Sequence, residues 1–458
     1  MSEWKEYKIG DIGTVKGGKR LPKGKMLVTK RTDHPYIRIR DLSQQKVLEL
    51  NNDFEYVDND THKEISRYIV DEGDVLLSIV GTIGLVTIVG KSLNKANLTE
   101  NCVKITNLKG VYNDYLYYYL VSQKGQNEIR RGTVGAVQPK LPIYNIQDIT
   151  ISVPELAFQR HIASILSSLD DKIAVNKKIC ENLEAQAQAL FKHWFVDFAP
   201  FKDGNYCANR EQNETCFNSA EVQPKITGKA CKFVESELGL IPEGWRVGTY
   251  DEIIQDTISG DWGKEKPEGN YTHKVACIRG CDFQDVKMGL RGKTPERYIL
   301  EKNYDSKHFN DKDVLVEISG GTATVSTGRI CPVSQLLIDK YDGDIVCTNF
   351  CRLVRPCIGY SSYLYYSWKY KYDKKVMFGY ENGTSGIKNF SIKDFTSREP
   401  LIIPRLSDLY IFEDMVEHIH THIQDMGSES AKLASLRDTL LPKLMSGQIK
   451  INEIEKSL

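Results

Sequence analysis

Residues 162–194 of the chain read IASILSSLDDKIAVNKKICENLEAQAQALFKHW, a stretch without glycine or proline. Apolar side chains recur in it at alternating steps of three and four residues, the spacing of a coiled-coil seam with one polar residue, Asn176, in its middle. The seam positions are Ile162, Leu166, Leu169, Ile173, Asn176, Cys180, Leu183, Ala187, Leu190 and Trp194. The spacing predicts one helix about 50 Å long, at ~1.5 Å per residue. Such a helix needs a partner that covers its apolar side.

A second stretch, near the C-terminus, has the same spacing and a similar length. Its seam positions are Phe412, Val416, Ile419, Ile423, Met426, Ser430, Leu433, Arg437, Leu440 and Leu444. Gly427 and the polar Ser430 and Arg437 weaken the pattern, because glycine and polar side chains in a helical seam cost stability. The simplest interpretation is two long helices packed together, the second from about 407 to 445. One globular unit would lie ahead of each helix.

Composition sets broad limits on the class of protein. The 458 residues suit two domains with connectors, and 41% hydrophobic residues allow each domain a sizeable core. Lysine and arginine number 61, as do aspartate and glutamate, so the overall charge does not indicate nucleic-acid binding. Met1–Gly10 is polar, unlike a signal peptide, and the longest apolar run, Val75–Gly90, is too short to span a bilayer. With eleven scattered cysteines, we expect a cytoplasmic protein without a membrane partner.

The two halves of the chain repeat each other in order. Ile37-Arg38 and Asp41 correspond to Ile278-Arg279 and Asp282 at the same spacing. Further matches are Trp4 with Trp245, Gly73–Leu76 with Lys312–Leu315, Asn101–Ile105 with Asn349–Leu353, Tyr115–Tyr118 with Tyr363–Tyr366, Gly132-Thr133 with Gly383-Thr384, and Pro154 with Pro404. The duplication predicts the order globule, helix, globule, helix. The expected domains are a first globule at 1–153, a long helix at 154–200, a polar linker at 201–235, a second globule at 236–404, and a long helix with a tail at 405–458.

Local patterns predict strands mixed with short helices inside each globule. In the first globule, β-branched segments indicate strands at Tyr36–Ile39, Val75–Val80, Val86–Val89 and Val103–Ile105. A tyrosine- and leucine-rich stretch predicts a helix near Tyr112–Gln126.

Signals for catalysis are weak. Gly84–Ser92 (GLVTIVGKS) resembles a phosphate-binding loop, but its first glycine is one residue too far from the Gly-Lys-Ser end and the stretch is too apolar to cradle phosphates. No nucleophile elbow and no metalloprotease His-Glu motif occurs in the sequence. The sequence therefore predicts a chain without catalysis of its own.

Signals for metal binding are also weak, although some pairs have a permitted spacing. These pairs are Cys277 with Cys281, Cys347 with Cys351, and His418 with His422. The cysteines lie in strand-like segments, so we interpret them as buried small apolar residues. The histidines share one helix face without a third ligand, so we interpret them as a solvated flank of the coiled coil. The sequence predicts no metal site.

Basic and polar residues cluster in glycine-bearing loops of both globules, and such side chains bind phosphates and read base edges. The candidate DNA-binding residues are Lys16, Lys19, Arg20, Arg38, Arg130, Arg131, Thr133, Gln138, Lys140, Lys264, Lys266, Arg279, Arg291, Lys293, Thr384, Lys388 and Asn389. Any single cluster is more typical of a solvated loop. Two similar units on a rigid spacer, however, are the geometry for reading a two-part DNA site. Arg38 and Arg279 lie in strand-like segments, which leaves a structural ion pair open as their alternative role.

Segments at the helix ends resemble a known family. LFKHWFVDF at 190–198 ends the first long helix, ESELGLIPEGW at 235–245 opens the second globule, and LRDTLLPKLMSGQI at 436–449 ends the second helix. With the duplicated globules, these segments resemble the specificity subunit of type I restriction–modification enzymes. The resemblance covers the whole chain, and a polar insertion at about 205–229 departs from the compact family pattern.

The resemblance implies an α+β fold of two similar globular target recognition domains. Two long helices would separate and join them as an antiparallel coiled coil with pseudo-twofold symmetry. Each domain would read one half of a bipartite, asymmetric site in double-stranded DNA, and the helices would set the gap. The helix-interface residues would be Ile162, Leu166, Leu169, Ile173, Asn176, Leu183, Leu190, Trp194, Val416, Ile419, Ile423, Leu433 and Leu440.

The resemblance also implies partner subunits. The helices would dock two modification subunits, which carry S-adenosylmethionine and methylate adenine. Two restriction subunits, which use ATP and Mg and cleave DNA, would join that core. The chain itself would be non-catalytic and hold no cofactor. Two alternatives stay open: a specificity chain that serves only a methyltransferase, and a protein-binding scaffold without sequence-specific DNA binding.

Overall fold

The computed structural model describes residues 4–42, 46–202, 231–322, 324–383 and 388–448. Most of the expected linker therefore lies outside the described residues. Two helices of 40 residues each, Leu156–Phe195 and Leu406–Met445, contain the two predicted seams. The chain forms two compact units: unit 1 holds the residues up to Ala174 and those from Lys432 onward, and unit 2 holds Val175–Ala431. Both divisions fall inside the long helices, so each unit contains one globule and a segment of both helices.

Unit 1 is built from short strands and short helices ahead of the first long helix. Its strands are β1 (Lys5–Lys8), β2 (Thr14–Gly17), β3 (Pro35–Ile37), β4 (Val47–Leu48), β5 (Glu55–Tyr56), β6 (Val75–Ser78), β7 (Val86–Val89), β8 (Asn97–Leu98), β9 (Cys102–Thr106) and β10 (Thr150–Val153). Its helices are α1 (Ile9–Ile12), α2 (Asn59–Glu64), α3 (Asn113–Val121), α4 (Gln123–Gly132) and α5 (Ile143–Gln147), followed by the long helix α6 (Leu156–Phe195). The single helix predicted near Tyr112–Gln126 is two helices. Ser122 has an extended backbone, and its hydroxyl accepts the N–H of Gly125 to cap α4.

The main sheet of unit 1 has the strand order β2-β9-β6-β7-β4, and only β4 and β7 are parallel neighbours. A second sheet has the order β5-β3-β8, with β3 antiparallel to β5 and parallel to β8. Val75 and Leu77 of β6 pack in one cluster with the tyrosines of α3, and Leu76 packs in another with Ile37 of β3. Because successive side chains of a strand point to opposite faces, the main sheet is buried between the helices and the second sheet.

Unit 2 begins within α6 and ends within the second long helix. Its strands are β11 (Phe233–Ser236), β12 (Gly239–Pro242), β13 (Arg246–Thr249), β14 (Ile254–Ser259), β15 (Tyr271–Ile278), β16 (Glu296–Leu300), β17 (Val314–Glu317), β18 (Ser319–Gly320), β19 (Ile330–Pro332), β20 (Ile345–Cys347), β21 (Cys351–Pro356), β22 (Glu381–Asn382), β23 (Lys388–Phe390) and β24 (Pro400–Ile403). Its helices after α6 are α7 (Ala199–Lys202), α8 (Phe283–Lys287), α9 (Glu301–Lys307), α10 (Gln335–Asp339), α11 (Ser361–Asp373), α12 (Ile392–Arg398) and the long helix α13 (Leu406–Met445).

Unit 2 repeats the topology of unit 1. Its main sheet, β14-β21-β17-β19, corresponds to β2-β9-β6-β7, and its second sheet, β16-β15-β20, corresponds to β5-β3-β8 with the same antiparallel and parallel pairs. The pair of β13 with β24 corresponds to that of β1 with β10. Val314 and Val316 of β17 face the helix side of the core, and Leu315 faces the other side. The predicted α+β fold of two similar globules is confirmed.

The structure corrects the predicted repeat alignment at one place. The sequence matched Asn101–Ile105 with Asn349–Leu353. In the main sheets, Ile105 pairs with Val75 of β6, and Val354 pairs with the equivalent first residue of β17. The correct match is therefore displaced by one residue. A one-residue displacement moves every side chain of a strand to the opposite face, so the pattern of core burial decides the alignment.

The two long helices pack against each other within each unit. In unit 1, Ile162 of α6 shares an apolar cluster with Leu444 of α13, and Asp170 accepts a hydrogen bond from Arg437 at 2.6 Å. Arg437, which weakens the apolar pattern of the second seam, thus has an ionic partner on the opposite helix. The residue numbers rise along α6 as they fall along α13, so the helices are antiparallel, as predicted.

The helix pair of unit 2 has the same direction. Cys180 of α6 lies 3.7 Å from the carbonyl oxygen of Ile423, and Phe191 packs on Phe412 with ring centroids 6.2 Å apart. All predicted helix-interface residues, from Ile162 to Leu440, are buried or half-buried. None of the helices in the described parts of the chain has the length and apolarity needed to cross a membrane.

Asn176 lies fully buried in the seam of unit 2. Its Nδ2 donates to Glu429 Oε2 at 2.6 Å and to Ser430 Oγ at 3.3 Å. Both bonds cross from α6 to α13. A polar residue paired across a seam is the usual register-setting arrangement, and the register role of this asparagine stays a prediction.

Candidate nucleic-acid interface

Loops of unit 1 converge where β2 and β6 end and β9 begins. The N–H of Ile79 donates to the carbonyl of Asn101 at 2.9 Å, and the N–H of Leu141 donates to the carbonyl of Ile79 at 2.9 Å. The loop after β2 joins them, since the N–H of Lys19 donates to the carbonyl of Leu98 at 2.8 Å. These bonds hold four loops together. We call residues 16–20, 79–85, 99–101 and 133–141 the first loop face.

The same bonds recur in unit 2. The N–H of Ile318 donates to the carbonyl of Phe350 at 2.8 Å, and the N–H of Phe390 donates to the carbonyl of Ile318 at 2.9 Å. The N–H of Asp261 donates to the carbonyl of Cys347 at 2.8 Å. We call residues 259–266, 318–322, 324–329, 348–350, 381–383 and 388–390 the second loop face.

A glycine makes each convergence possible. A side chain on Gly18 would overlap the carbonyl oxygen of Thr99, and one on Gly260 would overlap that of Thr348. Neither overlap can be relieved by turning a flexible side chain, because the obstacle is backbone. Close approach of two loops thus explains these two glycines, which the sequence pattern showed only as parts of glycine-bearing loops.

Arg38 and Arg279 begin equivalent turns beside the loop faces. The backbone N–H of Arg38 donates to Asp41 Oδ2 at 2.7 Å, and that of Arg279 donates to Asp282 Oδ2 at 3.0 Å. The side chain of Arg38 pairs with Glu55 at 2.8 Å, and that of Arg279 makes two bonds to Asp282, of 2.9 and 3.0 Å. The hydrogen bond to Asp282 raises the pKa of Arg279. Both arginines therefore have structural ion pairs, the alternative left open above, and remain about one-third exposed.

Several other predicted DNA-binding cations are already paired with carboxylates. The pairs are Arg20 with Glu100 at 2.7 Å, Arg131 with Glu128 at 2.6 Å, Lys264 with Glu268 at 3.6 Å, and Lys388 with Glu381 at 2.8 Å. Arg20 and Glu100 are far apart in sequence, and the convergence of loops brings them together. A paired cation has less charge to offer to a phosphate.

The remaining predicted cations are exposed and have no carboxylate partner among the residues that the structure describes. They are Lys16, Lys19, Arg130, Lys140, Lys266, Arg291 and Lys293. Lys19 lies over the ring of Tyr68, 5.6 Å from its centroid, and Arg291 lies over Tyr341 at 4.6 Å. These cations stand on or beside both loop faces, where their charge is available to an external anion.

The uncharged candidates differ from one another. The hydroxyl of Thr133 donates to the carbonyl of Ile129 at 2.8 Å and so closes the end of α4. Gln138 and Asn389 are exposed. Thr384 lies outside the described residues. Their role in DNA binding stays a prediction, as it does for the cations.

The cysteine and histidine pairs lie apart from further metal-ligating side chains in the part of the chain that the structure describes. In the described ranges of the chain, no three His, Cys, Asp or Glu side chains are placed to hold a metal ion. Cys277 and Cys351 are buried, and burial raises the pKa of each thiol to about 12. Cys281 is exposed, so its expected burial was wrong. It follows Ile278 of β15 in a short 3₁₀ turn and is no longer in the strand.

Sequence reasoning missed the turn that ties each loop face together. The bond of Ile79 to Asn101 and that of Ile318 to Phe350 make Asn101 and Phe350 equivalent. Neither residue is basic, and the displaced repeat alignment paired Asn101 with a different residue, Asn349. Polar residues at the ends of the matched strands are a signal that could have located the turn at Asn101. They give no signal for the aromatic Phe350 in the equivalent turn.

Comparison with known proteins agrees with this geometry. Residues 1–185 match the family described as the type I restriction modification DNA specificity domain. The chain is 25% identical over 457 residues to the MjaIX type I restriction enzyme specificity subunit of Methanocaldococcus jannaschii, covering 99% of this chain and 95% of that one. It is 26% identical over 501 residues to the HindI specificity subunit of Haemophilus influenzae, covering 98% and 100%.

A solved structure shares the fold. The type I restriction-modification S subunit from M. genitalium superposes with a TM-score of 0.51 over 97% of this chain and 96% of that chain, at 15% identity. The fold of two repeated units is therefore shared with that S subunit. The predicted resemblance is confirmed: this chain is similar along nearly its whole length to specificity subunits of type I restriction–modification enzymes. The matched domain supports a role in DNA sequence recognition.

Proposed function

We propose that the chain reads a two-part site in double-stranded DNA, one half with each loop face. The two long helices set the gap between the halves and dock two modification subunits. The chain catalyses nothing itself. S-adenosylmethionine is held by the modification subunits, and ATP with Mg is used by two restriction subunits that complete the complex.

The observation that carries this proposal is the repetition of one loop framework with different side chains. Equivalent backbone bonds hold Asn101 on the first loop face and Phe350 on the second. Exposed cations that meet no carboxylate in the described part of the chain accompany both faces. A common framework suits two surfaces that meet the same duplex, and different side chains suit two different base sequences.

The zero formal charge of the chain fits a subunit rather than a protein that binds long DNA unaided. Counterion release from phosphates drives most non-specific DNA affinity. In the proposed complex the partner subunits supply part of that positive charge. Only the loop faces of this chain need to be basic.

The test is single-base mapping of DNA methylation in cells that express the chain with a cognate modification subunit. We expect adenine methylation at a two-part site with a fixed gap. Replacing residues 1–153 by the same region of a relative should change one half of the site and leave the other. Methylation at a continuous site would contradict the role of the helices. A stable complex without sequence-dependent methylation or DNA affinity would favour a protein-binding scaffold.

A further inference from the structure

One large aromatic side chain stands out on the second loop face. Phe350, in the turn between β20 and β21, is 63% exposed. Phenylalanine is among the residue types most often buried. An exposed ring on a proposed DNA-reading surface therefore needs an explanation in what it contacts.

The exposure does not come from a loose turn. The carbonyl of Phe350 accepts the N–H of Ile318 at 2.8 Å, and the N–H of Cys351 donates to the carbonyl of Thr348 at 2.9 Å. Thr348 is itself buried and its N–H donates to the carbonyl of Ile278 at 3.0 Å. The backbone on both sides of the ring is thus attached to the core, so the turn that carries the ring is held in place.

A cation is bonded to the same turn. The guanidinium of Arg352 donates to the carbonyls of Asn349 at 3.2 Å and Cys351 at 3.0 Å, which places it against the same turn. Within the described ranges Arg352 has no carboxylate partner. An apolar ring and a cation carried by one turn match a duplex groove, where base edges lie between phosphates.

The equivalent turn of unit 1 offers a contrast. Asn101 makes the same backbone bond as Phe350 but presents a short polar side chain, and it is half-buried. The framework is common to both faces and the side chain is not. That is the behaviour expected at a position that selects a base rather than one that maintains the fold.

We propose that Phe350 is a specificity-determining residue of unit 2, which packs on the C5-methyl group of a thymine in the major groove of its half-site. The inference rests on the proposed function. Thymine is the base that presents a methyl group in that groove, and phenylalanine is one of the side chains that contact it. Arg352 binds a neighbouring phosphate and holds the turn against the duplex.

The test measures competition binding of the complex between this chain and its modification subunit to the mapped site. The wild type is compared with Phe350→Ala, on DNA in which each thymine of the second half-site is replaced in turn by uracil, which lacks the methyl group. At one thymine we expect the wild type to lose about tenfold in affinity, the scale of one lost base contact. Phe350→Ala should show about the same loss on unmodified DNA, and no further loss with uracil.

Ile358→Ala is the matched control, because Ile358 is 85% exposed and follows the other end of β21. It should bind like the wild type. Three outcomes overturn this inference alone. Phe350→Ala and the wild type bind the specific site equally, Phe350→Ala loses affinity although uracil at no thymine weakens the wild type, or the second half-site contains no thymine. Absence of any sequence-specific binding by the wild-type complex overturns the proposed function, and the inference with it.

Discussion

In unit 1 the imidazole of His34 stacks on that of His62 with ring centroids 3.8 Å apart. In unit 2 His273 stacks on the ring of Tyr304 at 4.0 Å. Each stack joins the second sheet to the short helix that follows it in the repeat, α2 or α9. The packing is thus similar, but one stack combines two imidazoles and the other combines an imidazole with a phenol.

The surroundings of the two stacks differ in charge. His62 lies 3.2 Å from the amide oxygen of Asn97, whereas His273 lies 2.9 Å from Glu301 and 3.1 Å from Asp344. The packing is therefore similar in the two units, but the pKa of His62 is lowered and the pKa of His273 is raised.

A buried ion pair at the start of β6 and of β17 shows the same relation. Asp74 pairs with Lys104 at 3.1 Å, and the equivalent Asp313 accepts two bonds of 3.1 Å from Arg355. Each carboxylate also accepts a backbone N–H three residues earlier in its own turn. The carboxylate position is shared, while the cation comes from a different place on the corresponding strand, β9 or β21. Duplication thus preserved the backbone framework and the need for charge balance, but not the residue that supplies the balancing cation.

The largest effect is expected from breaking these ion pairs. Arg355→Met should destabilise unit 2 by about 3 kcal/mol and Lys104→Met should destabilise unit 1 by about as much, because each leaves a buried carboxylate uncompensated. Urea unfolding combined with hydrogen exchange resolved by unit would measure both. Arg355→Lys should lose less than Arg355→Met. If either variant loosened the two units equally, the pairs would not be local to their units.

The next largest effect is expected at the two close-approach glycines. Gly18→Ala and Gly260→Ala should each cost about 2 kcal/mol in the free energy of unfolding, because both new methyl groups meet a backbone carbonyl. Gly379→Ala is the control, since nothing lies near its Cβ position. Equal losses of stability at the two sites would show that the close approach of the loops is the same in both units. A loss at one site only would show that the loop faces are built differently.

A smaller change in stability is expected in the helix seam. Asn176→Leu should leave the fold intact and change the free energy of unfolding by about 1 kcal/mol or less, since it exchanges two hydrogen bonds for apolar contact. It should broaden the gap that methylation mapping reports, because Leu accepts more than one helix offset. Ile173→Leu, an apolar exchange in the same seam, should not. An unchanged gap together with unchanged stability would remove Asn176 from this role.

The two loop faces can be compared through the salt dependence of DNA affinity. Lys140→Ala on the first face and Lys293→Ala beside the second should each reduce the slope of log affinity against log salt concentration by about 1 if each lysine binds one phosphate. Lys109→Ala is the control, because Lys109 is exposed and follows the opposite end of β9. A change at one face only would mean that the faces do not share the duplex backbone equally.

The smallest effects are expected from pH. Desolvation and the charge of His34 lower the pKa of His62, although its bond to Asn97 acts the other way. Desolvation also lowers the pKa of His273, but its hydrogen bonds to Glu301 and Asp344 outweigh this and raise it. Unit 1 should therefore lose stability as the pH falls below the ordinary histidine value of 6.5. The contribution of His273 should be complete below that value and disappear as the pH rises through its raised pKa.

Hydrogen exchange resolved by unit, at about pH 5.5 and about pH 8.5, would measure this contrast. The variant His62→Gln should make unit 1 less sensitive to acid, and His273→Gln should weaken unit 2 more at the lower pH. If lowering the pH changed the stability of both units in the same direction, the environments assigned to His62 and His273 would be contradicted.

Much of the fold could be predicted from local patterns. The seam spacing located both long helices, and the β-branched segments around Val75, Val86 and Val103 are strands β6, β7 and β9. These predictions succeeded because helix and strand periodicity are properties of neighbouring residues. The helix near Tyr112 was predicted as one element and is two, because the cap provided by Ser122 interrupts a pattern that apolar residues continue.

The candidate site could be predicted only in outline. Basic, glycine-bearing loops marked the segments of both loop faces, yet the cations in them looked alike in sequence. The fold divides them into paired and unpaired groups: Arg20 meets Glu100, for example, while Lys19, one residue earlier, meets no carboxylate in the described residues. Contacts between residues so far apart in sequence depend on loop convergence, which a single sequence does not encode locally.

Residues close together, or repeated at matched spacing, carry the two long helices, the duplication and the resemblance to specificity subunits, so these features could be predicted from the sequence. The antiparallel direction of the helices was an implication of the resemblance. The tertiary structure alone decided that Phe350 is equivalent to Asn101, that Asp313 is balanced by Arg355, and that Gly18 and Gly260 lie against backbone. The physical reason is the same in each case. Strand pairing decides which side chains of a strand face the core. An error of one residue in the repeat alignment assigns core side chains to the surface and surface side chains to the core, and the sequence alone does not reveal it.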